Sequence, residues 1–126
     1  MSNFASAVEV IEAGYEFTLA YAAQGFEAGQ PGQHEADVRR HLEDMSEALE
    51  SLSGYARTAA KARDGLAETG QFFLDTLERD AARAAGVVGL VLARQGISSQ
   101  LIDNFNASNH IRTILTDVFL FDEALK

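Results

Sequence analysis

The residues whose spacing comes closest to a metal site lie near the start of the second predicted helix. Asp37 and His41 follow His34 by three and seven residues, which places all three near one face of a helix. Two imidazoles and a carboxylate can hold zinc or a similar ion. In the competing interpretation, His34 caps the turn, Asp37 favours the positive helix start, and His41 borders the apolar seam. We expect the structural role, and therefore neither a metal nor a cofactor.

Di-iron chemistry is not expected from this chain. Di-iron carboxylate bundles use Glu-x-x-His pairs that bring a carboxylate and an imidazole to one metal. The positions three residues before the histidines are Pro31, Val38 and Ala107, so no such pair exists. The chain also has no cysteine, which excludes a thiolate nucleophile and a cysteine-ligated metal.

Motifs for covalent catalysis and nucleotide binding are absent from the sequence. There is no Gly-x-Ser-x-Gly or Ser-x-x-Lys motif, and no Gly-x-Gly-x-x-Gly or Gly-Lys-Ser/Thr loop. Glu9, Glu12 and Glu16 have a spacing that paired catalytic carboxylates could use, but on an exposed arc they are typical of a solvated helix face. The sequence favours a protein that is not an enzyme.

Residues 87–105 have the outline of a DNA-binding helix–turn–helix. Gly96 lies at the turn, and the apolar side chain of Ile102 would hold the second helix against the interior of the domain. The outward positions of that helix offer no positive charge, and Arg94 and Arg112 are the only nearby cations. Ten basic residues against nineteen acidic ones give a net charge of −9, which repels phosphate backbones. Nucleic acid is therefore not the expected partner, although a helix–turn–helix regulator remains an alternative.

Length and composition predict one soluble domain. The chain has 126 residues, of which 47% are hydrophobic and 23% charged. The first residues lack the basic region and the continuous apolar run of a secretion signal, and the longest apolar run, residues 84–93, is about half a membrane span. We expect a cytoplasmic protein that forms a single domain over residues 1–126 and does not enter a membrane.

The periodicity of apolar residues is helical almost throughout. The single proline lies in the clearest break, residues 28–32. The sequence predicts an all-α fold, a four- or five-helix, mostly antiparallel bundle with a short helix near 98–105. The predicted helices cover residues 3–27, 33–63, 66 or 70 to 95, 98–105 and 109–125.

Four local signals refine this prediction. Gly54 marks a kink or a break inside the second helix. Gly96 is predicted to end the third helix in a left-handed conformation. Ser98 and Ser108 are predicted to cap the two helices that follow them.

Helix 1 carries apolar residues on two separate faces, within a stretch of 38 residues that has six acidic side chains and no Lys or Arg. The face predicted to be core contains Phe4, Val8, Ile11, Tyr15, Leu19, Ala22 and Phe26. The second face contains Val10, Gly14, Phe17 and Tyr21 and needs a partner of its own. Its large residues, Val10, Phe17 and Tyr21, are predicted interface anchors unless helix 1 is central within one chain.

The third and last helices also carry unusual apolar surface. Residues 81–93 are small and apolar nearly all round, which predicts a position at the centre of the bundle. Gly86 and Gly89 are expected in close packing there, with a helix–helix contact between chains as the alternative. In the last helix, Phe119 and Leu120 fall outside the predicted core stripe. They are predicted to make an intermolecular contact.

These patterns favour a non-enzymatic interaction or adaptor protein, a small acidic helical bundle that self-associates or docks on a protein partner through apolar helix faces. A homo-oligomer, a dimer first, is expected, and the acids around the anchors would favour a basic partner. The other alternative is a bundle that binds a small ligand or a metal and could be an enzyme. Its cavity would be lined by Tyr15, Phe17, Tyr21, Phe72 or Phe73.

Overall fold

The structure, a computed structural model, describes residues 3–126, which form six α-helices and no strand. The helices are α1 (Phe4–Ala22), α2 (His34–Lys61), α3 (Leu66–Thr69), α4 (Gln71–Leu92), α5 (Ser99–Ala107) and α6 (His110–Ala124). The predicted all-α bundle is confirmed, and α5 is the short helix predicted near 98–105. The one-turn helix α3 is additional, because Gly70 separates it from α4.

The four long helices, α1, α2, α4 and α6, form a ring in chain order. Each packs on the next, and α6 closes the ring against α1. Arg39 near the start of α2 bonds the carbonyl of Leu92 at the end of α4, whereas Arg57 near the end of α2 bonds Asp75 near the start of α4. These two helices are therefore antiparallel. The helix α5 contacts α1, α4 and α6 and lies across the end of the ring where α4 finishes.

The two ends of the ring are held by different interactions. At the α5 end, the guanidinium of Arg39 donates to the carbonyls of Leu92, Arg94 and Gln95, which lack partners inside the helix. At the other end the ring of Phe121 contacts those of Phe4 and Phe73, with centroids 5.4 and 5.7 Å apart. Both ends also contain the other kind of contact, since Phe26 stacks on His34 at the α5 end and Arg57 pairs with Asp75 at the opposite end.

The buried face of α1 lies between the two predicted stripes. It consists of Phe4, Ala7, Ile11, Gly14, Thr18 and Tyr21. The prediction that Leu19 belongs to the core is wrong, since its side chain is exposed. A Cβ at Gly14 would collide with the end of the Met45 side chain, so the glycine lets α2 pack closely against α1 at this point. Both apolar faces of α1 are consequently flanked by helices of the same chain.

The prediction that the second half of α4 lies at the centre of the bundle on all sides is wrong. Val88 and Val91 are buried, but Leu90 points outward. A Cβ added at Gly86 or Gly89 would meet nothing within 4 Å, so the predicted close packing at these glycines is wrong. The physical reason is geometric: each long helix in a ring of four keeps one outer face, and this is the outer face of α4.

Two glycine predictions are also corrected. Helix α2 runs unbroken through Gly54. Gly96 is not left-handed; a Cβ there would lie 2.7 Å from that of Ala28, so glycine is required for space.

The two predicted serine caps have different outcomes. Ser98 accepts a hydrogen bond from the backbone N–H of Leu101, as predicted. The hydroxyl of Ser108 instead donates to the carbonyl of Phe105, and left-handed Asn109 occupies the start of α6.

Candidate functional site

The anchors predicted on α1 are largely used inside the chain. Tyr21 is only 2% exposed, and its hydroxyl donates to the carbonyl oxygen of Ile97 at 2.5 Å. Burial, aided by the nearby charge of Glu35, raises the pKa of Tyr21. Phe17 is half-buried and stacks on His41 of α2, with ring centroids 4.1 Å apart. Tyr21 therefore cannot be a surface anchor, and of the three predicted residues Val10 is the most open.

The three candidate metal ligands have separate structural surroundings. The ring of His34 stacks on Phe26 at a centroid distance of 3.8 Å, and that of His41 stacks on Phe17. Asp37 lies 3.4 Å from the guanidinium of Arg40. Over residues 3–126 no group of three or more His, Asp or Glu side chains is arranged to hold a metal ion. His34 is not the cap of α2 as expected, since the helix has Gln33 at its N-cap and no side-chain cap bond.

The aromatic residues considered as cavity lining do not come together. Tyr21 lies at the α5 end of the bundle, whereas Phe73 stacks on Phe121 at the opposite end. Phe72 points away from the bundle. Tyr21 and Phe73 therefore cannot line the same ligand cavity.

The helix–turn–helix candidate is built into the end of the bundle. The hydroxyl of Ser99 donates to the carbonyl of Tyr21 and accepts from the backbone N–H of Phe26, at 2.6 and 2.8 Å. Ile102 and Phe105 are buried beneath α5. The one charged side chain of α5 is the exposed Asp103. The surface that α5 offers to a duplex is therefore uncharged or acidic.

Large apolar side chains are exposed mainly on α4 and α6. Phe72 is 89% exposed, Leu90 72%, Leu120 62% and Phe119 48%. The exposure of Phe119 and Leu120 follows the predicted spacing, but Phe72 and Leu90 were not predicted as surface residues. The signal for Phe72 is its position one residue before half-buried Phe73, about 100° further round the helix. Leu90 gave no such signal, because its neighbours are apolar on every side.

The apolar surface around Leu90 has a distinct charge. Residues 81–95 contain two arginines and no acid, and both arginines, Arg83 and Arg94, are exposed. We call the exposed surface of Ala82, Arg83, Gly86, Gly89, Leu90, Ala93 and Arg94 the α4 outer face. Arg83 is ion-paired with Asp80, and Ala82 lines a shallow pocket with Glu50 and Glu78, so acids also border this apolar face.

The α1–α2 groove has the opposite character. It is an open groove of about 370 Å³ lined by Ser6, Ala7, Val10, Asp44, Glu47, Ala48, Ser51 and Tyr55. Val10, Ala7 and Ala48 make part of its floor apolar. Its charged lining residues, Asp44 and Glu47, are both acidic and exposed.

Two carboxyl groups meet between α4 and α6. Asp117 is part-buried beside Asp80, and its Oδ2 has no hydrogen-bond partner. Asp80 lies 3.3 Å from the guanidinium of Arg83. Two carboxylates cannot donate to each other, so a hydrogen bond between these two groups requires that one of them keep a proton. Burial, and then the hydrogen bond and the charge of Asp80, raise the pKa of Asp117 to about 7. The pair was not predicted from the sequence.

Comparison of the chain with models of known protein families, with curated proteins and with solved structures found no match.

Within residues 3–126, none of the helices has both the length and the apolar character needed to cross a lipid bilayer.

Proposed function

We propose that the protein is a non-enzymatic interaction protein that self-associates through the apolar side chains exposed on α4 and α6. The observation that carries the proposal is the exposure of Phe72, Leu90 and Leu120, each well above half. Full burial of one such side chain is worth about 1.5–3 kcal/mol, which is the size of a typical hot-spot contribution. Three of them on two adjacent helices are a reason for a second molecule to bind there.

The roles of the polar residues support a binding protein over an enzyme. His34 and His41 stack on aromatic rings, and Arg39 and Arg57 bond carbonyls and carboxylates of α4. These contacts give the four side chains structural roles. A cytoplasmic location and a dimer as the first assembled species belong to the same proposal.

The test is the mass of the protein in solution, measured by light scattering over a wide range of concentration. We expect the average mass to rise above 13.6 kDa with concentration. A variant with Phe72→Ser, Leu90→Ser and Leu120→Ser should remain a monomer with an unchanged circular dichroism spectrum. Leu19→Ser is the matched control, since Leu19 is an exposed leucine on α1. A wild-type protein that stays monomeric at every concentration refutes the proposal.

A further inference from the structure

We propose that the carboxyl pair of Asp80 and Asp117 is a pH-sensitive latch between α4 and α6, whose loss of a proton lets α6 separate locally from the bundle. The device belongs to the fold and is independent of the proposed self-association. It assigns to α6 an opening of its own, smaller than the unfolding of the whole domain.

The position of the pair is the first argument. Asp80 and Asp117 lie near the middle of α4 and α6, where these two helices contact each other. The side chain of Asp80 is 15% exposed, and Oδ2 of Asp117 is buried without a hydrogen-bond partner. A buried carboxylate oxygen that no donor stabilises favours the neutral acid. The raised pKa of Asp117 agrees with this geometry.

The second argument is how few polar contacts tie α6 to the other helices. Across residues 3–126, the side-chain hydrogen bonds and ion pairs of α6 stay within the helix or join it to Lys126 just beyond its end. By contrast, Arg39 and Arg57 tie α2 to α4, and Thr18 ties α1 to α5. Helix α6 is therefore held by apolar packing and by the carboxyl pair. Repulsion at that one polar contact should loosen it before the other long helices.

The charges on α4 and α6 leave Asp80 as the neighbour that controls Asp117. The charge that raises the pKa of Asp117 is that of Asp80. Arg83 pairs with Asp80 from the solvent, since its own side chain is 62% exposed, and it neutralises that charge only in part. The other basic groups of these two helices are exposed or half-exposed: Arg79, His110 and Arg112.

The helices packed on α4 and α6 bring no charge that would replace the proton. Arg57 of α2 is ion-paired with Asp75 and Glu78 of α4. Further acids on α1, α3, α5 and α6 are exposed or half-exposed: Glu9, Glu12, Glu16, Glu68, Asp103 and Asp122. Their charge has the same sign as that of the pair, so none of them stabilises its ionised form.

The direction of the effect follows from the two forms of α6. When α6 opens, Asp117 is exposed to water and its pKa returns towards the ordinary value of 3.8. Between about pH 4 and about pH 7, the closed form thus holds a proton that the open form has released. Closing is most favourable at the acid end of this range and becomes less favourable as the pH rises. Opening exposes the buried underside of α6, which includes Ile114, Val118 and Phe121.

Native-state hydrogen exchange, read by mass spectrometry at low urea concentrations and with a chelator present, tests the latch. The amides of α6 should be less protected than those of α2, and their protection should depend only weakly on urea, because the opening exposes little surface. From pH 5 to pH 8, the protection of α6 should fall by about three- to tenfold after correction for the intrinsic exchange rate.

Two variants remove the repulsion without removing the contact. In Asp117→Asn and in Asp80→Asn, an amide can donate to the remaining carboxyl group at every pH. In both variants the protection of α6 should be the same at pH 5 and pH 8. Asp103→Asn is the matched control, since it removes an exposed acid from α5, and it should keep the response of the wild type. Circular dichroism establishes that each variant is folded.

Three results would overturn the latch. Protection of α6 that equals that of α2, with the same urea dependence, would show that α6 opens only with the whole domain. A local opening whose pH response survives in Asp117→Asn would show that the pair does not control it. A local opening without any pH response would show that ionised Asp117 turns into the open groove beside Arg112 and Thr113 instead of displacing the helix.

Discussion

The carboxyl pair between α4 and α6 predicts a stability that falls as the pH rises. Asp117 keeps its proton up to a pKa of about 7 in the folded protein, against an ordinary value of 3.8. At a pH between 3.8 and about 7, Asp117 therefore holds a proton in the folded state but has released it in the unfolded state. The free energy of unfolding should therefore decrease from about pH 4 to about pH 7 and be flat above that range.

The magnitude follows from the two pKa values. A pKa of about 7 in place of 3.8 would be worth about 4 kcal/mol if the whole shift were expressed in stability. Asp117 is only part-buried, and Arg83 partly neutralises Asp80, so solvent screening reduces this to about 1–2 kcal/mol. Arg79 and Arg112 are exposed on these two helices, and His110 lies two turns before Asp117, so they act mainly through solvent. The neighbouring helices α2 and α5 add little charge near the pair. Arg57 of α2 is ion-paired with Asp75 and Glu78, and Asp103 of α5 is exposed to solvent.

The perturbation is Asp117→Asn, whose amide can donate to Asp80 without a titratable proton. At pH 8 the variant should be more stable than the wild type by about 1–2 kcal/mol, and at pH 4 the two should be nearly equal. The measurement is urea unfolding at a series of pH values with a chelator present, so that bound metal cannot contribute. Asp103→Asn is the control for removing an exposed acid. If Asp117→Asn keeps the pH slope of the wild type, the shared proton is refuted.

Three further substitutions test the packing. Gly54→Ala should stabilise the protein by about 0.5–1 kcal/mol in urea unfolding, because nothing lies within 4 Å of the added Cβ; a loss of stability would contradict the unbroken α2. Gly96→Ala should cost about 1–3 kcal/mol, because its Cβ would meet Ala28, and a neutral result would show that this approach is not tight. Tyr21→Phe should cost about 1–3 kcal/mol by leaving the buried carbonyl of Ile97 without its donor, and an unchanged melting temperature would contradict that bond.

Much of the fold could be predicted because its helices begin and end at local signals. Ser98 marks α5 through a hydroxyl that accepts from a nearby N–H, a contact within one turn. The register of α1 could not be predicted in the same way. Its buried face includes Ala7, Gly14 and Thr18, residues whose small or polar side chains carry little apolar weight. Gly14 is buried against α2, and Thr18 donates to Asn106 of α5, so their burial is a property of the tertiary structure.

The candidate site was less predictable for a related reason. The spacing in α6 placed Phe119 and Leu120 outside the core, because a helix has one period and one core direction. The sequence did not reveal which apolar face of α4 lies outside, since residues 84–93 are apolar in every direction. Asp80 and Asp117 are 37 positions apart, and only the packing of α4 on α6 brings their carboxyl groups together.

The mixture of contacts at both ends of the bundle has a consequence for its behaviour on cooling. Hydrophobic stabilisation weakens as temperature falls, whereas hydrogen bonds between fixed groups do not depend on that driving force. The packing of Phe121 on Phe4 and Phe73 at one end, and of Phe26 on His34 at the other, should therefore weaken near the freezing point. The bonds of Arg39 to the end of α4 and of Arg57 to its start should then carry a larger share of the contact between α2 and α4.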